Sequence, residues 1–69
     1  MEEKYTLVGV DGNAFSVMGY VRQAMKERHK TKAEIDAYTK DAMSSNYVHL
    51  VNASIDMIDK LNEELTNEE

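Results

Sequence analysis

One apolar stripe along the last third of the chain constrains its fold more than any other feature. From Tyr47, apolar or small residues recur at Leu50, Val51, Ser54, Ile58, Leu61 and Leu65, with Ile55 and Met57 flanking them. Asn52, Asp56, Asp59 and Glu63 fill the opposite side. That spacing is helical. A helix over residues 46–65 is about 30 Å long. A compact domain of this length has a radius of gyration of about 11 Å, so its diameter is close to the length of that helix. The far end of the stripe is therefore expected to seek cover outside its own subunit.

Size sharpens this expectation. A chain of 69 residues makes a single domain, residues 1–69,. It buries only about 60% of the surface that its unfolded form exposes, so one core leaves it marginal. The chain has no cysteine, which rules out disulfides and thiolate metal sites,. Helix packing and association with a second subunit remain as sources of stability. No apolar run approaches the roughly 20 residues needed to span a bilayer,. Met1-Glu2-Glu3-Lys4 lacks the basic start and apolar centre of a signal peptide,. A soluble cytoplasmic protein with no membrane partner is expected.

The fold class expected is mostly α (α+β), with a short N-terminal strand followed by a three-helix bundle. Lys4-Tyr5-Thr6-Leu7-Val8-Gly9-Val10 is rich in β-branched and aromatic residues and reads as a strand over residues 4–10,. Asp11-Gly12-Asn13 is a turn, with Asn13 placed to cap a helix over residues 14–28,. Ala14, Val17, Met18, Val21, Ala24 and Met25 share one face of that helix. Thr31-Lys32-Ala33-Glu34 is a capping-box pattern opening a second helix over 32–43, which buries Ile35, Tyr38, Thr39 and Ala42,. Ser44-Ser45-Asn46 breaks the chain again, with Ser45 or Asn46 as cap of the third helix over 46–65. The acidic tail, residues 66–69, is expected to fray. A lone strand has unpaired edges, so it must lie on the helices or pair with another strand, most simply that of a second copy.

Asp11-Gly12-Asn13-Ala14-Phe15, then Val17-Met18-Gly19, Lys32-Ala33-Glu34-Ile35-Asp36 and Ala42-Met43-Ser44-Ser45-Asn46-Tyr47-Val48-His49-Leu50 together carry a resemblance. The chain resembles a group of small uncharacterised proteins of bacteria and their phages. Their shared pattern is Asp-Gly-Asn-Ala-Phe, a helix, Glu-Glu-Ile-Asp, then Ala-x-Ser-Gly-Asp-Tyr-Asp-His-Leu-Leu. The likeness covers residues 9–51. Ser45 stands in place of glycine, Asn46 and Val48 in place of aspartates, and Val51 in place of leucine. The resemblance implies a helical fold and a phage or mobile-element origin, and it implies no activity.

Catalytic chemistry finds little support. Asp11-Gly12-Asn13 lacks the further glycines and the lysine of a phosphate-binding loop, so a turn and cap is its expected role. His49 has Ser45, Asn46, Asn52 and Ala53 at helical neighbour positions, and none is an acid or a second histidine. Its expected role is a hydrogen bond that anchors the loop between helices two and three. With no nucleophile motif or ligand cluster, neither an enzyme nor a cofactor or metal site is expected. The leading expectation is a self-associating interaction module, a homodimer or a binder of another protein. Its interface would use Phe15, Gly19, Ile55, Ile58, Leu61 and Leu65. Gly19 in a helix interior costs about 1 kcal/mol relative to alanine, which suggests close approach of a neighbour there. The alternative is a nucleic-acid surface of Arg22, Lys26, Lys30 and Lys32. The overall net charge of −5 disfavours it,. This basic stretch and the acidic C-terminal segment could equally attract each other.

Overall fold

A computed structural model describes residues 4–67, the last of them by its backbone alone. The helices are α1, Ala14–Glu27; α2, Lys32–Ala42; and α3, Tyr47–Asn67. Each begins at a polar side chain that takes up an orphan amide of the first turn. Asn13 Oδ1 accepts from the Phe15 amide at 2.8 Å, and Thr31 Oγ1 accepts from the Glu34 amide at 3.2 Å. Asn46 Oδ1 accepts from the His49 amide at 3.0 Å, which settles the third cap on Asn46 rather than Ser45. The Glu34 carboxylate accepts from the Thr31 hydroxyl at 3.3 Å, so one side chain of the capping box serves the other.

The end of α1 carries a backbone signature that the sequence hides. His29 sits at φ 63°, in the left-handed region normally taken by glycine,. Its amide donates to the Lys26 carbonyl and the Lys30 amide donates to the Met25 carbonyl, both at 3.0 Å. This pair of bonds forms a Schellman turn and swings the chain directly into α2.

The core comprises Val17, Met18, Val21, Ala24, Met25, Ile35, Tyr38, Ala42, Leu50, Ile58 and Leu61. Of the residues placed on the buried faces from sequence, Ala14, Thr39 and Val51 are half-buried rather than buried. One polar pair lies within this core. Ser54 Oγ donates to the Leu50 carbonyl at 2.8 Å, which leaves its lone pairs to accept the Tyr38 hydroxyl at 2.6 Å. With both groups satisfied, the pair fixes how α2 sits along α3 without an unpaired buried dipole.

Two expectations are corrected. No strand is present among the described residues: residues 4–7 join no ladder, though their exposure alternates as in an extended chain, and Leu7–Val10 closes a turn with Gly9 at φ 87°,. The would-be strand lies on the helices instead of pairing with another strand. The stripe of α3 is also covered within the subunit, with Ile58 buried, Leu61 wholly so and Leu65 only 7% exposed. The bundle is a slab and not a sphere, so its length exceeds the diameter expected of a compact domain of this size. Its radius of gyration is 11.6 Å, but its extents are 36 × 27 × 15 Å, and α3 fits along the long axis. The C-terminal tail is helical as far as Asn67, with the Thr66 hydroxyl donating to the Asn62 carbonyl at 3.1 Å, and residues 68–69 of that expectation lie outside the described residues.

His29→Gly should relieve the left-handed strain and raise stability by about 1 kcal/mol, or about 4–8 °C in Tm, read by thermal melting. A second expectation concerns alkaline pH. Burial raises the Tyr38 phenol above its ordinary value of 10.0, with the Arg22 charge pulling the other way. Above the ordinary tyrosine value the unfolded chain gives up this proton while the folded chain keeps it. Stability should therefore be constant below that pH and fall above it, and the fall should be shallower in Tyr38→Phe.

Candidate functional site

Where α1 begins, α2 ends and α3 begins, the bundle presents an apolar face. The Asn13 cap places Phe15 in the first turn of α1 pointing away from the core, and it remains 75% exposed. Met43 follows the last residue of α2, and Tyr47 and Val48 open α3; all three are exposed. The Tyr47 hydroxyl donates to the Gly12 carbonyl, fastening the loop before α1 to the start of α3. The Ser44 hydroxyl donates to the Asp41 carbonyl at 2.6 Å and tightens the α2–α3 connection. Between these residues lies a shallow cleft of about 250 Å³, with Ala14, Phe15, Met18, Met43, Tyr47 and Leu50 on its walls. The walls carry no carboxylate, amine or imidazole. What the site chiefly offers a ligand is dispersion and apolar burial.

The structure separates the residues grouped from sequence. Phe15 belongs to this face. Gly19 lies one turn further along α1, exposed, and a Cβ built on it meets nothing within 4 Å. No neighbour within the subunit, the N-terminal segment included, makes the expected close contact, which leaves only another subunit as its source. Ile55 is exposed but lies beside the N-terminal segment, lining a second cleft with Tyr5 and Leu7. Ile58, Leu61 and Leu65 are core residues of the monomer and are withdrawn from the interface.

The basic surface is also divided. Lys30 Nζ meets Glu64 Oε2 at 2.6 Å, and Lys32 Nζ meets Asp36 Oδ2 at 3.3 Å. Arg22 and Lys26 are exposed on α1. The Lys30–Glu64 pair joins the basic segment to the acidic end of α3 inside one subunit, a direct outlet for the uneven charge.

His49 acquires an acidic neighbour that helical spacing could not reveal. Its Nε2 lies 3.0 Å from the Asp41 carbonyl oxygen and 3.4 Å from Asp41 Oδ1. Two oxygens facing one nitrogen require that nitrogen to carry the proton and donate. The ring ties the end of α2 to the first turn of α3, as the loop-anchoring reading anticipates. Among the described residues no group of three or more acidic, histidine or cysteine side chains is arranged to hold a metal ion. No helix among them is long and apolar enough to cross a membrane.

No family model, curated protein or solved structure matches the chain. Its functional reading rests on its own residues. If His49 anchors the α2–α3 junction, His49→Ala should cost about 1 kcal/mol in thermal or urea unfolding, and His49→Gln should recover part of the loss.

Proposed function

We propose that the protein is a non-enzymatic interaction module that pairs with a second copy of itself through the face around Phe15. The observation that carries this reading is the 75% exposure of Phe15, a large aromatic side chain beside an apolar cleft that it helps to line. A projecting ring next to a recess on the same surface suits a two-fold contact, in which each copy supplies the projection that fills the other's recess. Aromatic side chains set in such recesses dominate association energies, and methionines such as Met18 and Met43 adapt their shape to an incoming ring.

Charge argues for the same face. Copies carrying −5 each repel one another, so a self-contact must lie where the acidic side chains are absent,. The cleft walls meet that condition. Gly19 extends the contact: with open space over it, the backbone of α1 can approach a partner helix closely. The resemblance to small phage and bacterial proteins is compatible with a module of this kind and adds no partner.

The test is sedimentation across micromolar to millimolar concentration. The wild-type chain should pass from monomer to dimer, whereas Phe15→Asp should stay monomeric with its helix content intact. Aspartate in the first turn favours the helix dipole, so unfolding would not explain a loss of pairing. Gly19→Ala should raise monomer stability by about 1 kcal/mol while weakening the dimer. A wild-type chain that remains monomeric throughout this range would reject the reading.

A further inference from the structure

The N-terminal segment, residues 4–8, solves a problem that an extended chain lying on helices must face. Its main-chain polar groups need partners, and helices have no free ladder to offer. Here side chains serve that purpose. The Tyr5 amide donates to Asn62 Oδ1 at 2.7 Å, and Asn62 Nδ2 donates back to the Tyr5 carbonyl at 2.9 Å. One carboxamide thus reads both polar groups of a single residue, as a neighbouring strand would. The Thr6 amide donates to the Tyr20 hydroxyl at 2.9 Å. Successive side chains of an extended chain alternate sides, so Tyr5 and Leu7 share one side. Both are half-buried against the core, whereas Lys4, Thr6 and Val8 are exposed.

Asn62 and Tyr20 recognise backbone and not side-chain identity. The groove between α1 and α3 selects an occupant only by the aromatic and aliphatic groups that it shelters. The Tyr5 hydroxyl adds a bond of 3.2 Å to Glu27 Oε1. The segment does not fill its seat. Clefts of about 300 Å³ and 200 Å³ remain, the first lined by Tyr5, Tyr20 and Glu27 and the second by Leu7, Ile55 and Asn62. Gly9 takes φ 87° in the turn that follows the segment, and a Cβ built on it meets nothing within 4 Å.

We infer that the α1–α3 groove is a binding site for an extended peptide with an aromatic residue followed two positions later by an aliphatic one. Residues 4–8 occupy it in cis as a built-in competitor. The ligand is a segment of another protein, held by main-chain bonds to Asn62 and Tyr20 with its two apolar side chains on the floor around Ile58. This site lies apart from the Phe15 face and does not depend on pairing there.

The experiment uses the full chain with Tyr5→Ala and Leu7→Ala, which removes the anchors of the internal occupant and leaves the groove unchanged. The probe is the capped peptide Lys-Tyr-Thr-Leu-Val-Gly, the chain's own residues 4–9, followed by amide chemical shifts. Saturable one-to-one binding is expected, with the Asn62 side-chain amide among the shifted signals. Adding Asn62→Leu, or replacing the probe's tyrosine by alanine, should weaken binding on the order of tenfold. A folded double variant that ignores the peptide overturns the inference. Should that variant unfold, hydrogen exchange of the wild-type chain decides. Tyr5 and Thr6 amides that exchange through local opening support a releasable segment, and exchange only by global unfolding refutes it. A wild-type dimer that Asn62→Leu abolishes and Phe15→Asp does not would assign the groove to the arm of a second copy, and the foreign-peptide reading would fall.

Discussion

Everything in this fold depends on how the long stripe of α3 is sheltered. A helix of 21 residues within a chain of 69 cannot bury one whole side inside a sphere. It can do so in a slab if the remaining residues are laid along it. α1 and α2 both pack on α3, and the extended N-terminal segment adds Tyr5 and Leu7 near Ile58 and Asn62. The two apparent difficulties of the sequence, an unpaired strand and an overlong apolar helix, thus resolve each other. The segment gains main-chain partners from Asn62, and the helix gains cover from the segment.

This arrangement moves the exposed apolar surface. With Ile58, Leu61 and Leu65 inside the monomer, Phe15, Met43, Tyr47 and Val48 gather exposed apolar surface where the three helix ends meet, while Val8 and Ile55 are exposed elsewhere. These residues stand off the core stripes because the caps at Asn13 and Asn46 fix where each helix starts and hence which way its first turn faces. The pairing surface proposed there is small and local, unlike the long seam that an uncovered α3 would have offered. Charge follows the same logic: the Lys30–Glu64 pair joins the basic and acidic segments within one subunit.

Polar side chains carry more of the specification than their number suggests. Tyr38 and Ser54 set the alignment of α2 on α3, and Asn62 and Tyr20 hold the N-terminal segment. His49 and Asp41 close the α2–α3 corner, and Tyr47 and Gly12 tie the loop before α1 to α3. Each links residues distant in the chain, and each is satisfied by geometry that only packing provides. Apolar burial supplies the driving force, while these bonds choose among the ways in which three helices could slide past one another.

By itself the sequence determined the three helices, their caps at Asn13 and Thr31, and nearly all of the core, because helical periodicity and capping are local and repeat within a few residues. It could not decide whether residues 4–10 form a ladder, since β-branched and aromatic residues favour an extended backbone whatever its partner. Nor could it show that His29 turns left-handed, that Asp41 reaches His49, or that Asn62 clasps Tyr5, because these contacts join residues that no helical period relates. Tertiary structure alone decided the fate of the α3 stripe. Length and pattern describe what must be buried, and only the shape of the packed bundle determines whether its own chain suffices to bury it.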